Sequence, residues 1–283
     1  MNFFLYTFLS IFYFISKILG MRFSSFLGGM IMYVYGFFSK KNLIGMRNLQ
    51  IVFPKKTVKE KKAILKKMWF HFGRVIGEYP HLDKINFKDN SIIKIDKIEN
   101  LLKPIKSGNC IFFSAHIGNW ELSSHPLIQN GYKINFIYRP PNNNYVENLL
   151  KKIREKYGVK LIKKGADGAK ECIRVLRKNG NLGMLIDQKM NDGIAVNFFN
   201  REAMTATAIA KLAMKFKSTI IPAYCVRVNG IKFKIKYFKP IKYEKIKNLK
   251  SEKKILLYLN KYIERWIREY PEQWIWVHNR WKN

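Results

Sequence analysis

The chain has 283 residues, 48% of them apolar, and sets 53 Lys+Arg against 19 Asp+Glu for a formal charge of +34. It is long enough to bury a sizeable core, as one large domain or a domain with an appendage, and its charge favours polyanionic partners: nucleic acid, anionic lipid, a phosphorylated substrate or an acidic carrier protein. The three cysteines, Cys110, Cys172 and Cys225, are odd in number, far apart and without a CxxC pair, which argues against a disulfide framework or a cysteine zinc site and reads as buried reduced thiols.

Residues 1–39 carry only two charges, Lys17 and Arg22. From 3 to 15 the apolar run is broken only by Thr7 and Ser10, and residues 2–21 approach the ~20 that a bilayer core requires. A basic start and an A-x-A cleavage site are both missing, so the segment does not read as a removable signal peptide. The next run, 23–38, is uncharged but interrupted by Ser24, Ser25, Gly28 and Gly29. The expected division is a hydrophobic membrane anchor over 1–22 and an α/β domain over 23–283. Residues 23–38 would lie half in lipid and half against the domain. A second reading, with both runs as core helices, stays open. Lys17, Arg22, Lys40, Lys41 and Arg47 all follow the first run, and the positive-inside bias then leaves the bulk of the chain in the cytoplasm. Spanning and interfacial placements are both compatible with this composition.

Over 57–79 the apolar residues Ile64, Leu65, Met68, Trp69, Phe72, Val75 and Ile76 recur at helical spacing, Thr57 and Glu60 form a capping-box start, and Pro80 ends the helix. Strands are predicted over 92–95, 110–114, 134–138, 159–162, 182–186, 220–228 and 233–238. Helices are predicted over 98–105, 119–129, 146–157, 167–178, 205–216 and 252–269. This alternation predicts an α/β fold with helices on both faces of a central sheet. A hairpin signal at Asn229-Gly230 makes the sheet mixed, though mostly parallel.

In such folds ligands gather beyond the carboxyl ends of strands. His116 lies just past the strand over 110–114, Gly118 permits a tight turn, Asn119 is placed to cap the next helix, and Glu121 falls in its first turn. Five residues along one helix turn by about 140° beyond a full turn, so His116 and Glu121 can meet only across a strand-to-helix turn. A carboxylate beside an imidazole fixes its tautomer and leaves the other ring nitrogen free to take a proton from a hydroxyl. The plainer alternative is a histidine that hydrogen-bonds the turn and a glutamate that merely starts a helix.

His116-x4-Glu121 resembles the H-x4-D/E motif of bacterial lysophospholipid-type acyltransferases. More narrowly, the chain resembles the lipid A secondary acyltransferases of the lauroyl/myristoyl class. Tyr138-Arg139-Pro140 is similar to that family's YRP, Asp187-Gln188 to its DQ, and Phe198-Phe199 with Ala203 and Thr205 to its FFG-x-x-A-x-T block. Ile221-Pro222 follows, and PEQWIWVHNRWK over 271–282 resembles the family terminus; RNLQIVFP over 47–54 and Glu78 also fit. The blocks run in order along essentially the whole chain. Asn200 departs from the pattern, standing where the family has Gly.

The resemblance implies that His116 is the general base and Glu121 its orienting carboxylate, that the acceptor hydroxyl attacks the thioester of an acyl carrier protein, and that neither a cofactor nor a metal is required. Backbone N–H groups at Gly118 and Asn119 are the candidate oxyanion donors, with Arg139 as a further donor or phosphate ligand. Asp187, with Gln188 beside it, either holds Arg139 or substrate, or caps a turn. Phe198 and Phe199 read as tunnel lining or as core, Thr205 as a helix N-cap, and Trp274, Trp276 and Trp281 as interfacial or buried. His71, His81 and His125 read as ordinary histidines. The implied partners are an acyl carrier protein thioester, a lipid A precursor and anionic lipid at the cytoplasmic face of the bacterial inner membrane. Another glycolipid, aminolipid or lysophospholipid acceptor, with acyl-CoA as donor, remains the alternative. Nucleic acid is not an expected partner: the N-terminal apolar run and the lack of an RNP-like or zinc-finger pattern argue against it.

Overall fold

The computed structural model describes residues 2–89 and 91–281, with side chains from residue 6 onward; Lys282 of the terminal motif and Met1 of the expected anchor lie outside the described residues. The chain opens with α1 (Asn2–Phe38), α2 (Asn42–Val52) and α3 (Val58–Glu78). Helix α1 is broken into two stretches at Gly20, whose φ of 76° and ψ of 160° are non-helical and suit glycine. At the start of α3, Thr57 Oγ1 accepts from the Glu60 N–H and Glu60 Oε2 accepts from the Thr57 N–H, the reciprocal capping expected from the sequence. A 3-10 turn, Tyr79–Lys84, follows α3 and contains Pro80.

The body alternates as expected: β1 (Ile93–Asp96), α4 (Glu99–Lys106), β2 (Cys110–Ser114), a 3-10 turn (Trp120–Ser124) running into α5 (His125–Gln129), then β3 (Asn135–Tyr138), α6 (Asn144–Lys156), β4 (Lys160–Lys163), α7 (Ala166–Arg177) and β5 (Leu182–Leu185). A hairpin of β6 (Ile194–Phe198) and β7 (Arg201–Thr205) leads to α8 (Ala208–Phe216), β8 (Thr219–Asn229), β9 (Lys232–Tyr237), α9 (Tyr243–Asn248) and α10 (Glu252–Glu269). Seven strands form one sheet in the order β1-β9-β8-β2-β5-β3-β4. Among the described residues only β8 and β9 pair antiparallel within it, around the predicted Asn229-Gly230 turn. The mixed, mostly parallel α/β sheet predicted from the sequence is therefore present, preceded by a long apolar helix.

Strand alternation divides the core. Ile111 and Phe113 of β2 join one buried cluster with Trp266 and Ile263 of α10, while Cys110 and Phe112 join another with Leu101 of α4 and Leu127 of α5. All three cysteines are buried and unpaired. The two clusters grip β2 from both faces and fix where its carboxyl end points.

Three local expectations change. The predicted helix over 119–129 is a 3-10 turn and a single helical turn: Asn119 donates its amide to Glu78 (2.8 Å), and its side-chain oxygen caps no backbone N–H. The predicted helix over 205–216 starts later, at Ala208. Thr205 ends β7, fully buried, its hydroxyl donating to the Ala203 carbonyl and accepting from Arg280 (both 2.9 Å). The β6–β7 hairpin was not anticipated. Its two turn residues, Phe199 and Asn200, have φ of 53° and 60°, and asparagine tolerates that region better than most residues other than glycine. The departure at Asn200 thus keeps the backbone a glycine would permit.

Candidate active site at the carboxyl end of the sheet

Strands β2 and β5 are parallel neighbours, and Ser114 pairs with Leu185. Two residues further on, the same register sets His116 beside Asp187. The imidazole Nδ1 lies 2.9 Å from Asp187 Oδ1, and the His116 backbone N–H donates to Asp187 Oδ2 at 3.0 Å. Trp274 Nε1 donates to that same Oδ2 at 2.8 Å. Asp187 is fully buried, whereas the His116 side chain is 21% exposed. Burial pushes the Asp187 carboxyl up, but the charge and hydrogen bond of His116, helped by His278 and the Trp274 N–H, hold it below the usual carboxylate range. An ionised Asp187 places the proton on Nδ1 and leaves Nε2, which has no hydrogen-bond partner among the described residues, as the lone-pair nitrogen.

The loop between β2 and the 3-10 turn is shaped by close contact. Gly118 has φ of 59°, and a Cβ there would lie 1.8 Å from the Cys225 carbonyl oxygen of β8, so no other residue fits. Its N–H donates to the Gln273 carbonyl (3.0 Å), and Ile117 bridges to Trp274. The C-terminal segment is therefore part of the site wall. Trp274, Trp276 and Trp281 are all buried, which decides between the interfacial and buried readings. Phe198 and Phe199 are core: Phe198 stacks on Trp281 with centroids 5.6 Å apart, under the Arg280 guanidinium.

Glu121 does not pair with His116. It sits in a nest of donors: Arg154 through Nε and Nη2 (2.6 Å at the shortest), Tyr79 Oη (2.7 Å), Tyr157 Oη (2.8 Å) and Trp120 Nε1 (3.1 Å). Burial raises its pKa, yet the Arg154 charge and these hydrogen bonds win and hold it at about 2. The expected direct dyad is thus replaced by an Asp187–His116 pair, and Asp187 neither holds Arg139 nor caps a turn. Trp120 connects the two acids: its ring packs edge-on against the His116 imidazole, centroids 5.2 Å apart, while its N–H reaches Glu121. Sequence reasoning missed Arg154, Tyr79 and Tyr157, which come from two other elements and carry no local signal.

Two concave spaces adjoin the site. One is a cavity of about 60 Å³, lined by Glu121, Trp120 and Arg154 together with the apolar Phe136, Leu161 and Leu185. The other is a polar cleft of about 730 Å³ lined by Arg139, Lys163, Lys164, Gln188, Lys189 and His278. Arg139 and Gln188 are both exposed there, past the ends of β3 and β5. His278 donates from Nδ1 to the Ile275 carbonyl (2.7 Å), and burial pushes its pKa down to about 4. Gly118 and Asn119, the expected oxyanion donors, line neither space; the Gly118 N–H is taken by Gln273 and Asn119 is fully buried.

Beneath the turn, Glu78 is completely buried. It pairs with Arg227 (2.6 Å) and accepts from Ser25 Oγ (2.6 Å) and Asn119 Nδ2 (2.8 Å), tying α1, α3, β8 and the His116 loop together. His71 is packed against this pair, and burial with the Arg227 charge pushes its pKa down to about 3. His81 and His125 reach backbone carbonyls of Ser16 and Leu82, as ordinary buried histidines do.

The family model of bacterial lipid A biosynthesis acyltransferases matches residues 2–283. The chain belongs to that family. This bacterial lipid A biosynthesis acyltransferase is an enzyme of acyl transfer in lipid A synthesis, with a lipid A precursor as acceptor and an acyl donor as the second substrate. A comparison with curated proteins finds no match. The family assignment agrees with the resemblance carried by the ordered sequence blocks.

Proposed function

We propose that the acyltransferase moves a fatty acyl chain from an acyl carrier protein thioester to a hydroxyl of a lipid A precursor, at the cytoplasmic face of the inner membrane, and that His116 is the general base. His116 Nε2 takes the hydroxyl proton as the oxygen attacks the thioester carbon. The tetrahedral oxyanion collapses, the C–S bond breaks, and the imidazolium returns its proton to the leaving thiolate. Asp187 orients the ring and stabilises its charged form. Glu121 acts through Trp120, whose ring it holds against the imidazole, and is a positioning residue. Arg139 and Gln188 meet the substrate in the basic cleft, where cations suit the acceptor's phosphates.

The observation that carries this reading is the carboxylate–imidazole pair at the end of a buried strand, with Nε2 left for substrate. The net charge of +34 supports it, since an acidic carrier protein, an anionic leaflet and a phosphorylated acceptor are all attracted to such a surface. The test is mass spectrometry of product from purified protein, a tetra-acylated lipid A precursor and a panel of acyl carrier protein thioesters. A mass gain of one acyl ester that depends on His116 is expected. Transfer from acyl-CoA but from no carrier thioester would overturn the donor assignment, and full transfer by His116→Ala would overturn the base.

A further inference from the structure

Helix α1 is built inside out for water. The residues it turns inward are small or polar: Ser16, Ser24, Ser25, Gly28, Gly29 and Gly36 are buried. The residues it turns outward are large and apolar: Phe8 (56% exposed), Phe14 (65%), Ile18 (70%), Phe26 (55%), Val34 (54%) and Phe38 (81%). A helix packed on a soluble domain does the opposite. The small residues let α1 lie very close to α3: a Cβ on Gly73 would stand 2.1 Å from the Gly28 carbonyl oxygen, and one on Gly77 would stand 2.1 Å from that of Ser24. Close backbone packing through small residues, with bulky apolar residues facing away, is what a helix in lipid shows.

Contact with the domain also runs the whole length of the helix. Tyr6 meets Tyr145 of α6 (5.3 Å between rings), the Ser16 carbonyl accepts from His81, and Gly36 lies against Trp69 of α3. A perpendicular crossing would therefore carry α3 and α6 into the hydrocarbon, with the exposed Lys62, Lys66 and Lys67 among them. It would also strand Lys17 and Arg22, both exposed, near the middle of the apolar stretch Tyr6–Phe38. Gly20, whose φ and ψ are non-helical, divides the 37 residues into two helical stretches of about 27 Å each, and the contacts above hold both stretches against the domain.

We infer that α1 does not cross the bilayer but lies along one anionic leaflet, its Phe- and Ile-rich face sunk among the acyl chains and Lys17 and Arg22 reaching up to the phosphates. The occupant of this face is the leaflet that holds the lipid acceptor, so the inference rests on the membrane association proposed above but not on acyl transfer. The Tyr79–Lys84 turn and α6, against which the first half of α1 rests, supply Tyr79 and Arg154 to Glu121. The leaflet is thereby placed alongside the elements that bound the apolar cavity.

The test uses the full chain in oriented membrane vesicles and a membrane-impermeant maleimide. One cysteine is carried on a short Gly-Ser extension ahead of Met1, another is Ser39→Cys, and a third, Lys247→Cys, marks the side of the domain. The native cysteines are buried and serve as the unreactive background. All three positions are expected to label from the same side; labelling of the Met1 extension from the opposite side would overturn the inference. In parallel, flotation of Phe14→Asp/Ile18→Asp on phosphatidylcholine–phosphatidylglycerol vesicles is expected to fall by about tenfold or more, with the far-ultraviolet circular dichroism unchanged. Unchanged flotation would equally overturn it. Neither readout requires acyl transfer, so a failed acyl assay and a failed topology are told apart.

Discussion

Two buried carboxylates flank the same turn, and they are handled in opposite ways. Asp187 is paired with an imidazole that is itself 21% exposed and keeps its second ring nitrogen open to solvent and substrate. Glu121 is paired with the Arg154 guanidinium, which keeps its charge at any working pH, and is capped by two phenols and an indole. Both acids are held ionised against the cost of burial. Only the first sits in a group that can move a proton; the second is a fixed charge whose partners make it rigid. A short sequence motif names His116 and Glu121 together, yet the chemistry of the imidazole is set by an acid 71 residues away.

The comparison can be broken most severely at His116. His116→Ala is expected to lower the acyl-transfer rate by more than ~100-fold with the fold retained, since a general base contributes ~10²–10⁴. A loss below tenfold in a steady-state assay would move the proton transfer elsewhere. Asp187→Asn is expected to cost about 10²-fold or more in kcat, because the wrong tautomer is then favoured while the amide still fits. Glu121→Gln should fail differently. Removing one partner of a buried pair costs about 3–5 kcal/mol, so its unfolding midpoint drops while protein that remains folded keeps more activity than Asp187→Asn. Thermal melts and rates on the same samples separate the two patterns.

Acid sharpens the contrast. His71 and His278 have folded pKa values lowered to about 3 and about 4 from an ordinary 6.5, so each contributes stability fully present above pH 6.5 and lost as pH falls toward its folded value. Glu121, lowered to about 2 from 4.5, adds a second loss between pH 4.5 and about 2. Melting temperature should therefore decline from pH 6.5 downward and steepen below 4.5. The lower limb should be shallower in Glu121→Gln, with the part carried by Asp187 and His71 retained. The smallest effect is expected in the cleft: Lys163→Ala and Lys164→Ala, both on exposed lysines, should raise the acceptor KM about two- to threefold at low salt and less at high salt.

Much of the fold was legible because it is periodic. Alternating strand and helix patterns, the Thr57 capping box and the Asn229-Gly230 turn are all local signals. His116 was legible as a strand-end residue for the same reason, and so was Asp187. Their meeting was not, because strand order is a long-range property: nothing near Ser114 says that its neighbour is Leu185. The donors on Glu121 were hidden likewise, since Arg154 reads as one more cation on an amphipathic helix. Thr205 was misread as a cap because its hydroxyl serves Arg280, 75 residues on. The hairpin at Phe199-Asn200 lacked the Gly that would have marked it.

The most direct test of the Asp187–His116 pair is heteronuclear NMR of the imidazole protons in detergent-solubilised protein. A low-field Nδ1–H resonance, identified by its loss in His116→Ala, is expected to disappear in Asp187→Asn and to persist in Glu121→Gln. Persistence in Asp187→Asn together with loss in Glu121→Gln would contradict the pairing and return Glu121 to the imidazole.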